Sequence, residues 1–143
     1  MNQRGFATLE VILMVTVIAI LASIAVPRFT NITARANTAK IQADLSTIDT
    51  AIAIYRMEKS TEPADINALV TNGYLQAAPT PPSGKCYYAK NANGEGDNSS
   101  TTPTLDDIPS GGYNLKDVEI NGVSEKRAAL GSDKYTAENF YVP

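Results

Sequence analysis

A single apolar run near the start of the chain constrains its structure more than any other feature. The run, Phe6–Val26, follows the short polar segment Met1–Gly5 and is closed by Pro27. At about 1.5 Å of rise per residue it forms roughly 30 Å of helix, the thickness of the hydrocarbon core of a bilayer. One acidic residue, Glu10, interrupts the run. Because a carboxylate in such a segment costs about 2.5–3.5 kcal/mol on insertion scales, Glu10 is expected to have a functional partner.

Beyond Pro27 the apolar pattern changes from continuous to periodic. Apolar side chains recur at steps of four, three, four and three, which is the spacing of one face of an amphipathic helix; they are Ile41, Leu45, Ile48, Ile52 and Tyr55. The pattern predicts one helix from Phe6 to about Lys59, with a kink at Pro27 because proline removes a backbone hydrogen bond and its ring clashes with the preceding turn. Its first half belongs in a membrane or a filament core, and its second half packs a small domain.

The rest of the chain predicts a small head of short elements. Ala64–Val70 is expected to be a short helix, with Pro63 near its first turn and Gly73 as its stop. A proline-rich connector follows, and Asn91–Thr104 has the Asn, Gly and Ser content of a surface loop. The tail Asn139–Val142 is expected either to add an edge strand or to dock on the helix.

Three or four short antiparallel strands complete the predicted head. Asn121-Gly122 is a strong hairpin signal, and the predicted strands are Lys85–Lys90, Gly112–Leu115, Val118–Ile120 and Val123–Leu130. The expected fold is therefore α+β: a long N-terminal α-helix, which is a hydrophobic stalk kinked at Pro27, packed on a small antiparallel β-sheet head.

The residues around the start of the apolar run resemble a known processing signal. Gly5-Phe6-Ala7-Thr8-Leu9-Glu10, the apolar run and Pro27 together resemble the class III signal of type IV pilins and type II secretion pseudopilins. The resemblance implies that a prepilin peptidase cleaves between Gly5 and Phe6 and that the new Phe6 amine is methylated. It also assigns Glu10 to subunit assembly and Pro27 to the helix kink. The expected domains are a leader at 1–5, a transmembrane or filament-core helix at 6–27, and an amphipathic helix with its head at 28–143.

Elementary electrostatics supports the assembly role of Glu10. An isolated carboxylate and an isolated amino terminus are both unfavourable in hydrocarbon, and pairing them lowers both penalties. If the Phe6 amine of one subunit meets Glu10 of its neighbour, that contact fixes the axial register of the two chains. Glu10 would then have no catalytic role.

The resemblance implies a structural subunit of a filament assembled from the cytoplasmic membrane. A type IV pilus for adhesion or motility is preferred, with a type II secretion pseudopilus or a competence pilus as alternatives. The expected partners are other copies of the chain, a prepilin peptidase, an assembly platform and its ATPase. The chain is expected to cross the membrane once before assembly and to lie outside the cell, or in the periplasm or cell wall, afterwards. The surface ligand, any glycan and calcium binding stay open.

A protein of a different class competes with this interpretation. An ordinary secretory signal peptide also has a basic start, an apolar core and a small-x-small cleavage site, here Ser23-Ile24-Ala25. The product would be a soluble secreted binding protein that begins near Val26. Glu10 inside the core and Pro27 directly after the cut argue against it. A plain membrane anchor explains neither Gly5-Phe6 nor the position of Glu10.

The composition argues against catalysis and against nucleic-acid binding. The chain has no histidine, which is the commonest general base and metal ligand, and its net charge is −3. We therefore expect no enzyme activity, no direct contact with nucleic acid and no cofactor. Acidic residues of the kind that suits calcium occur in the second half, but their spacing fits no EF-hand loop and we expect solvated carboxylates; they are Glu95, Asp97, Asp106, Asp107 and Asp133.

The single cysteine, Cys86, excludes an intramolecular disulfide. A lone thiol in an exported protein is buried, pairs between chains or belongs to an anaerobic setting. Burial in a strand beside Tyr87 and Tyr88 is the preferred alternative.

Overall fold

The computed structural model describes residues 3–90, 96, 102–132 and 135–143. Its first element is the long helix α1, Gln3–Lys59, which confirms the single predicted helix. The helix ends at Ser60, whose φ of 56° is a left-handed conformation and whose N–H reaches the carbonyl of Arg56 at 2.9 Å. Such a left-handed residue is a common way for an α-helix to end. The kink at Pro27 stays a prediction.

The chain forms two compact units. One is Met1–Thr33, which contains the apolar part of α1, and the other is Ala34–Pro143. The second unit has its own hydrophobic core, built on the periodic face of α1. Ile41, Leu45 and Ile48 on this face have no exposed surface, as their spacing predicts.

A second helix, α2, spans Ile66–Thr71. It begins two residues later than predicted because Asp65 is its N-cap: the backbone there is extended, and the Asp65 side chain accepts the N–H of Ala68 at 2.7 Å. Gly73, with φ of 80°, follows the helix, as expected of the predicted stop.

Four strands among the described residues form two separate antiparallel ribbons, where the sequence predicts one sheet. The strands β1 (Lys85–Tyr88) and β2 (Thr104–Asp107) form the first ribbon, and β3 (Tyr113–Ile120) and β4 (Val123–Leu130) form the second. The two segments predicted on either side of Lys116-Asp117 are one strand, because β4 pairs with β3 along its whole length.

Strand β2 begins at Thr104, the last residue of the predicted loop, and contains Asp106 and Asp107, for which no strand is predicted. The sequence Thr-Leu-Asp-Asp has little strand preference, yet it pairs with β1 in the register Cys86↔Asp106. The cross-ribbon ion pair between Lys90 and Asp106 offsets one of its two charges. The rest of the predicted loop, apart from Gly96 and residues 102–104, lies outside the described residues.

The hairpin between β3 and β4 turns at the predicted residues. Asn121 and Gly122 have φ values of 54° and 80°, and positive φ at both central positions is what a tight type I′ turn requires. The chain then closes with a short 3₁₀ turn, Ala137–Asn139. Phe140 after it has no exposed surface and belongs to the core cluster with Leu45 and Ile48, so the tail docks in the core and adds no strand.

Candidate functional site

The apolar part of α1 is the most prominent surface of the first unit. The stretch Phe6–Ala25 has a mean hydropathy of 2.4 and is long and apolar enough to cross a membrane, and none of it is buried within the structure. Phe6, at the start, is 81% exposed. Apolar helix surface of this extent requires lipid or other helices around it.

Polar side chains within this stretch donate hydrogen bonds to backbone carbonyls of the same helix. Thr16 Oγ1 donates to the carbonyl of Ile12 at 2.7 Å, and Ser23 Oγ donates to the carbonyl of Ile20 at 2.7 Å. Such bonds let hydroxyl groups enter an apolar environment without an unpaired donor.

Glu10 differs from these hydroxyl groups. Its side chain is exposed, and it makes no ion pair with any described residue. Phe6 lies four residues earlier, which is about one helical turn, so the two share a face of α1. The structure therefore places Phe6 and Glu10 close together on one exposed apolar helix.

The other predicted site residues also lie on α1. Gly5 is within its first turn, and Pro27 lies inside the helix, which continues without a break to Lys59. Cleavage at Gly5-Phe6, methylation of Phe6, the assembly role of Glu10 and the kink at Pro27 all stay predictions.

In the second unit, polar side chains of α1 hold the outer edges of both ribbons. Thr38 Oγ1 accepts the N–H of Tyr87 at 2.8 Å on β1, and Asp49 Oδ1 accepts the N–H of Ala128 at 2.7 Å on β4. Thr38 has no exposed surface. Without these acceptors each edge amide would lose its hydrogen bond, so the helix completes the bonding of strands that have no third neighbour.

An ion-pair cluster surrounds the β4 contact. Arg127 donates Nε and Nη2 to Asp49 Oδ2 at 3.2 and 3.1 Å, and its Nη2 also lies 2.8 Å from Glu138 Oε1. Hydrogen bonds to Asp49 and then to Glu138 raise the pKa of Arg127 above its ordinary value. Burial works against ionisation of Glu138, but its hydrogen bonds from Arg127 and Thr136 leave its pKa below the usual range. The cluster joins α1, β4 and the C-terminal turn.

A third anchor connects α1 with β3. The Tyr113 hydroxyl donates to Asp44 Oδ2 at 2.8 Å, and Lys40 Nζ reaches the same oxygen at 2.5 Å. Burial, and then the hydrogen bond to Asp44, raise the pKa of Tyr113 well above its ordinary value.

These anchors were missed at the level of sequence. Lys40, Asp44 and Asp49 are charged and fall outside the apolar stripe, so the apolar spacing predicts no packing role for them. A usable signal was present for Asp49, because it lies four residues after Leu45 and three before Ile52 and so borders the buried face.

The acidic residues form no metal site in the part of the chain that the structure covers. No group of three His, Cys, Asp or Glu side chains among the described residues is placed to hold an ion. Hydrogen bonding from Lys90 is the main reason that the pKa of Asp106 lies below its ordinary value. Glu95, Asp97 and Asp133 lie outside the described residues.

Cys86 lies in β1 and has no exposed surface, which confirms the predicted burial beside Tyr87 and Tyr88. Burial, with a smaller contribution from Asp106, raises the pKa of its thiol to about 12. A buried thiol with so high a pKa is unreactive near neutral pH.

Several known proteins are similar to this chain. The type II secretion system core protein G of Vibrio cholerae is 30% identical over 101 residues, which cover 60% of this chain and 69% of that protein. The core protein G of Escherichia coli K12 is 28% identical over 138 residues, covering 80% of this chain and 95% of the relative. The type IV narrow pilus major component PilA5 of Thermus thermophilus is 39% identical over 54 residues, covering 38% of this chain and 47% of that protein.

No family model matches the chain, and no solved structure matches it at a significant level. The resemblance deduced from Gly5-Phe6 and Glu10 nevertheless agrees with the relatives found, and the fold has the exposed apolar helix and α+β head expected of them. The chain belongs to the type IV pilin and type II secretion pseudopilin family.

Proposed function

We propose that the protein is the major structural subunit of a helical filament assembled from the cytoplasmic membrane, with no catalytic role. The observation that carries the proposal is the exposed apolar stretch of α1 with Glu10 one turn from Phe6. Before assembly this stretch crosses the membrane once, and a prepilin peptidase removes residues 1–5. In the filament the same surface packs against other copies, so apolar burial holds the core.

In this proposal Glu10 fixes the register in which neighbouring subunits pack. A new Phe6 amine and a carboxylate lie one turn apart on each chain, and each group is costly in an apolar environment until it finds an opposite charge. Pairing the amine of an incoming subunit with Glu10 of its neighbour satisfies both. An assembly platform and an ATPase supplied by other chains drive insertion. We propose no resident metal, no cofactor and no direct nucleic-acid binding.

Of the candidate machines, we place the type II secretion pseudopilus first and the type IV pilus second, which reverses the preference from sequence alone. The basis is coverage: similarity to core protein G extends over 80% of this chain in the Escherichia coli relative, whereas similarity to the pilus component PilA5 extends over 38%. Deletion in the native host separates the two, because a pseudopilus subunit is required for protein export and a pilus subunit for surface fibres. Normal export together with lost fibres would reverse the order again.

The assembly role of Glu10 is tested with Glu10→Ala. We expect the variant to be processed and retained in the membrane but to form no filaments, because the incoming amine has no partner. Asp117→Ala is the matched control, since it also removes one carboxylate but from an exposed position on β3. Filaments should form normally in that control, and normal filaments from Glu10→Ala would contradict the pairing.

A further inference from the structure

The C-terminal segment Tyr135–Phe140, called the strap below, bonds to both ribbons. The N–H of Leu130, at the end of β4, donates to the carbonyl of Tyr135 at 2.8 Å. The N–H of Ala89, directly after β1, donates to the carbonyl of Asn139 at 2.8 Å. The strap therefore satisfies one edge amide on each of two ribbons that do not pair with each other.

The strap is a preformed turn. The N–H of Thr136 donates to Asn139 Oδ1 at 2.9 Å, and the N–H of Asn139 returns to the carbonyl of Thr136 at 3.1 Å. The Asn139 side chain is almost fully buried. Because Thr136 and Asn139 bond to each other within the strap, the turn can dock and undock as one piece.

Aromatic rings of the strap cover the buried face of β1. The Tyr135 ring centroid lies 4.9 Å from that of Tyr88, and the Phe140 centroid lies 5.8 Å from it. Cys86 is two residues from Tyr88 and so projects from the same face of the strand. The rings therefore form part of the cover over the face that contains Cys86.

The polar links of the strap leave both ribbon ladders intact. They include the two backbone hydrogen bonds, the pair between Arg127 and Glu138 and a side-chain hydrogen bond between Tyr135 and Tyr88. The Glu138 side chain is 49% exposed. Beyond Phe140 the chain is exposed again at Val142. Since the strap is the last structured segment, it can leave without breaking α1 or either ribbon ladder.

We propose that the strap opens as a unit before the head unfolds, and that opening uncovers Cys86 and the edge amides of Ala89 and Leu130. The open head presents unpaired strand edges and apolar rings, which are groups that other chains can pair with. Closure of the strap thus keeps neighbouring heads from joining through their strands. The proposal concerns the head alone and does not depend on the filament function.

The test uses the full chain in detergent micelles, with Cys86 as the single thiol. Its reaction with an excess of a soluble thiol reagent is followed across low urea concentrations, and global unfolding is followed by helical circular dichroism. We expect labelling in wild type to depend on urea much more weakly than unfolding does, because a sub-global opening exposes less surface.

Two variants sharpen the test. Asn139→Ala removes the acceptor for the Thr136 N–H and should speed Cys86 labelling by about tenfold or more, since an unpaired buried donor favours the open form. Amide exchange in the α1 segment 41–52 should keep its wild-type rate. Val142→Ala, in the exposed tail, should label like wild type.

Labelling with the same urea dependence as global unfolding would overturn the proposal. So would an Asn139→Ala variant in which labelling and α1 exchange accelerate equally. The wild-type comparison decides the matter even if Asn139→Ala does not fold.

Discussion

At the scale of single residues, Asp49 connects α1 with β4 and, through Arg127, with the C-terminal turn. One of its oxygens accepts the Ala128 N–H and the other accepts two N–H groups of Arg127, which also reaches Glu138. Its removal leaves the Ala128 N–H without its acceptor and the Arg127 guanidinium with Glu138 as its other carboxylate partner. Asp49, a polar side chain outside the apolar pattern, therefore helps to hold β4 against the helix.

Substitution of Asp49 measures this directly. Asp49→Ala should lower the free energy of unfolding by about 1–3 kcal/mol, because a half-buried amide and a charged partner both lose a hydrogen bond. Urea unfolding of the full chain in micelles, followed by circular dichroism, checks the value. Asp117→Ala, which removes a 65% exposed carboxylate, should change stability by no more than about 0.5 kcal/mol. Equal losses in the two variants would contradict the role of Asp49.

The raised pKa of the Cys86 thiol predicts the direction in which folding stability changes at alkaline pH. Its pKa is raised from 9.0 to about 12 in the folded state, so the neutral thiol stabilises the fold fully below pH 9 and this contribution is lost as pH rises towards 12. The slope is at most about 1.4 kcal/mol per pH unit. Stability of Cys86→Ala should therefore fall less steeply than that of wild type just above pH 9. Parallel slopes would contradict the effect.

At the scale of elements, the sequence predicts the helices and turns that depend on neighbouring residues along the chain. The helix α1 was predictable because its 3–4 apolar spacing holds from Ile41 to Tyr55, and the β3–β4 hairpin because Asn121-Gly122 accepts positive φ. Strand β2 was not predictable, since its strand conformation depends on pairing with β1 and on Lys90 offsetting Asp106. The division into two ribbons depends on side chains of α1, such as Asp49, that reach the strand edges across the fold.

Two glycines of the second ribbon should differ in their tolerance of alanine. Gly122 has φ of 80° with open space where a Cβ would lie, so Gly122→Ala should cost about 1–2 kcal/mol from backbone strain alone. At Gly131 the φ is 66° and a Cβ would come within 2.7 Å of the Pro109 Cβ, so Gly131→Ala should cost more. Urea unfolding of both variants gives the order, and a larger loss at Gly122 would contradict it.

At the scale of the whole molecule, apolar burial is divided unequally between the two units. The core cluster runs from Ile41 to Phe140 and lies wholly within Ala34–Pro143, whereas the apolar stretch Phe6–Ala25 buries nothing in a single chain. Apolar surface of this extent, unburied in a single chain, is compatible with a membrane or with packing against other copies. The head requires neither for its own core.

This division predicts the behaviour of a truncated chain. A variant comprising residues 34–143 should be folded and monomeric without detergent, because the core cluster and the buried Thr38 anchor both lie within these residues. The full chain should associate when detergent is removed, since its exposed apolar helix surface then has only other copies to pack against. Sedimentation and circular dichroism of both chains check the prediction. Association of the truncated chain to the same extent would contradict it.

The most direct measurement is the mass of the N-terminal peptide of the mature protein from its native host. A filament subunit keeps its apolar helix, so the peptide should begin at Phe6 and carry an N-methyl group. That result would place the amine one turn from Glu10, as pairing between subunits requires. A peptide that begins near Val26 would mean that the apolar helix is removed, which would contradict the filament function.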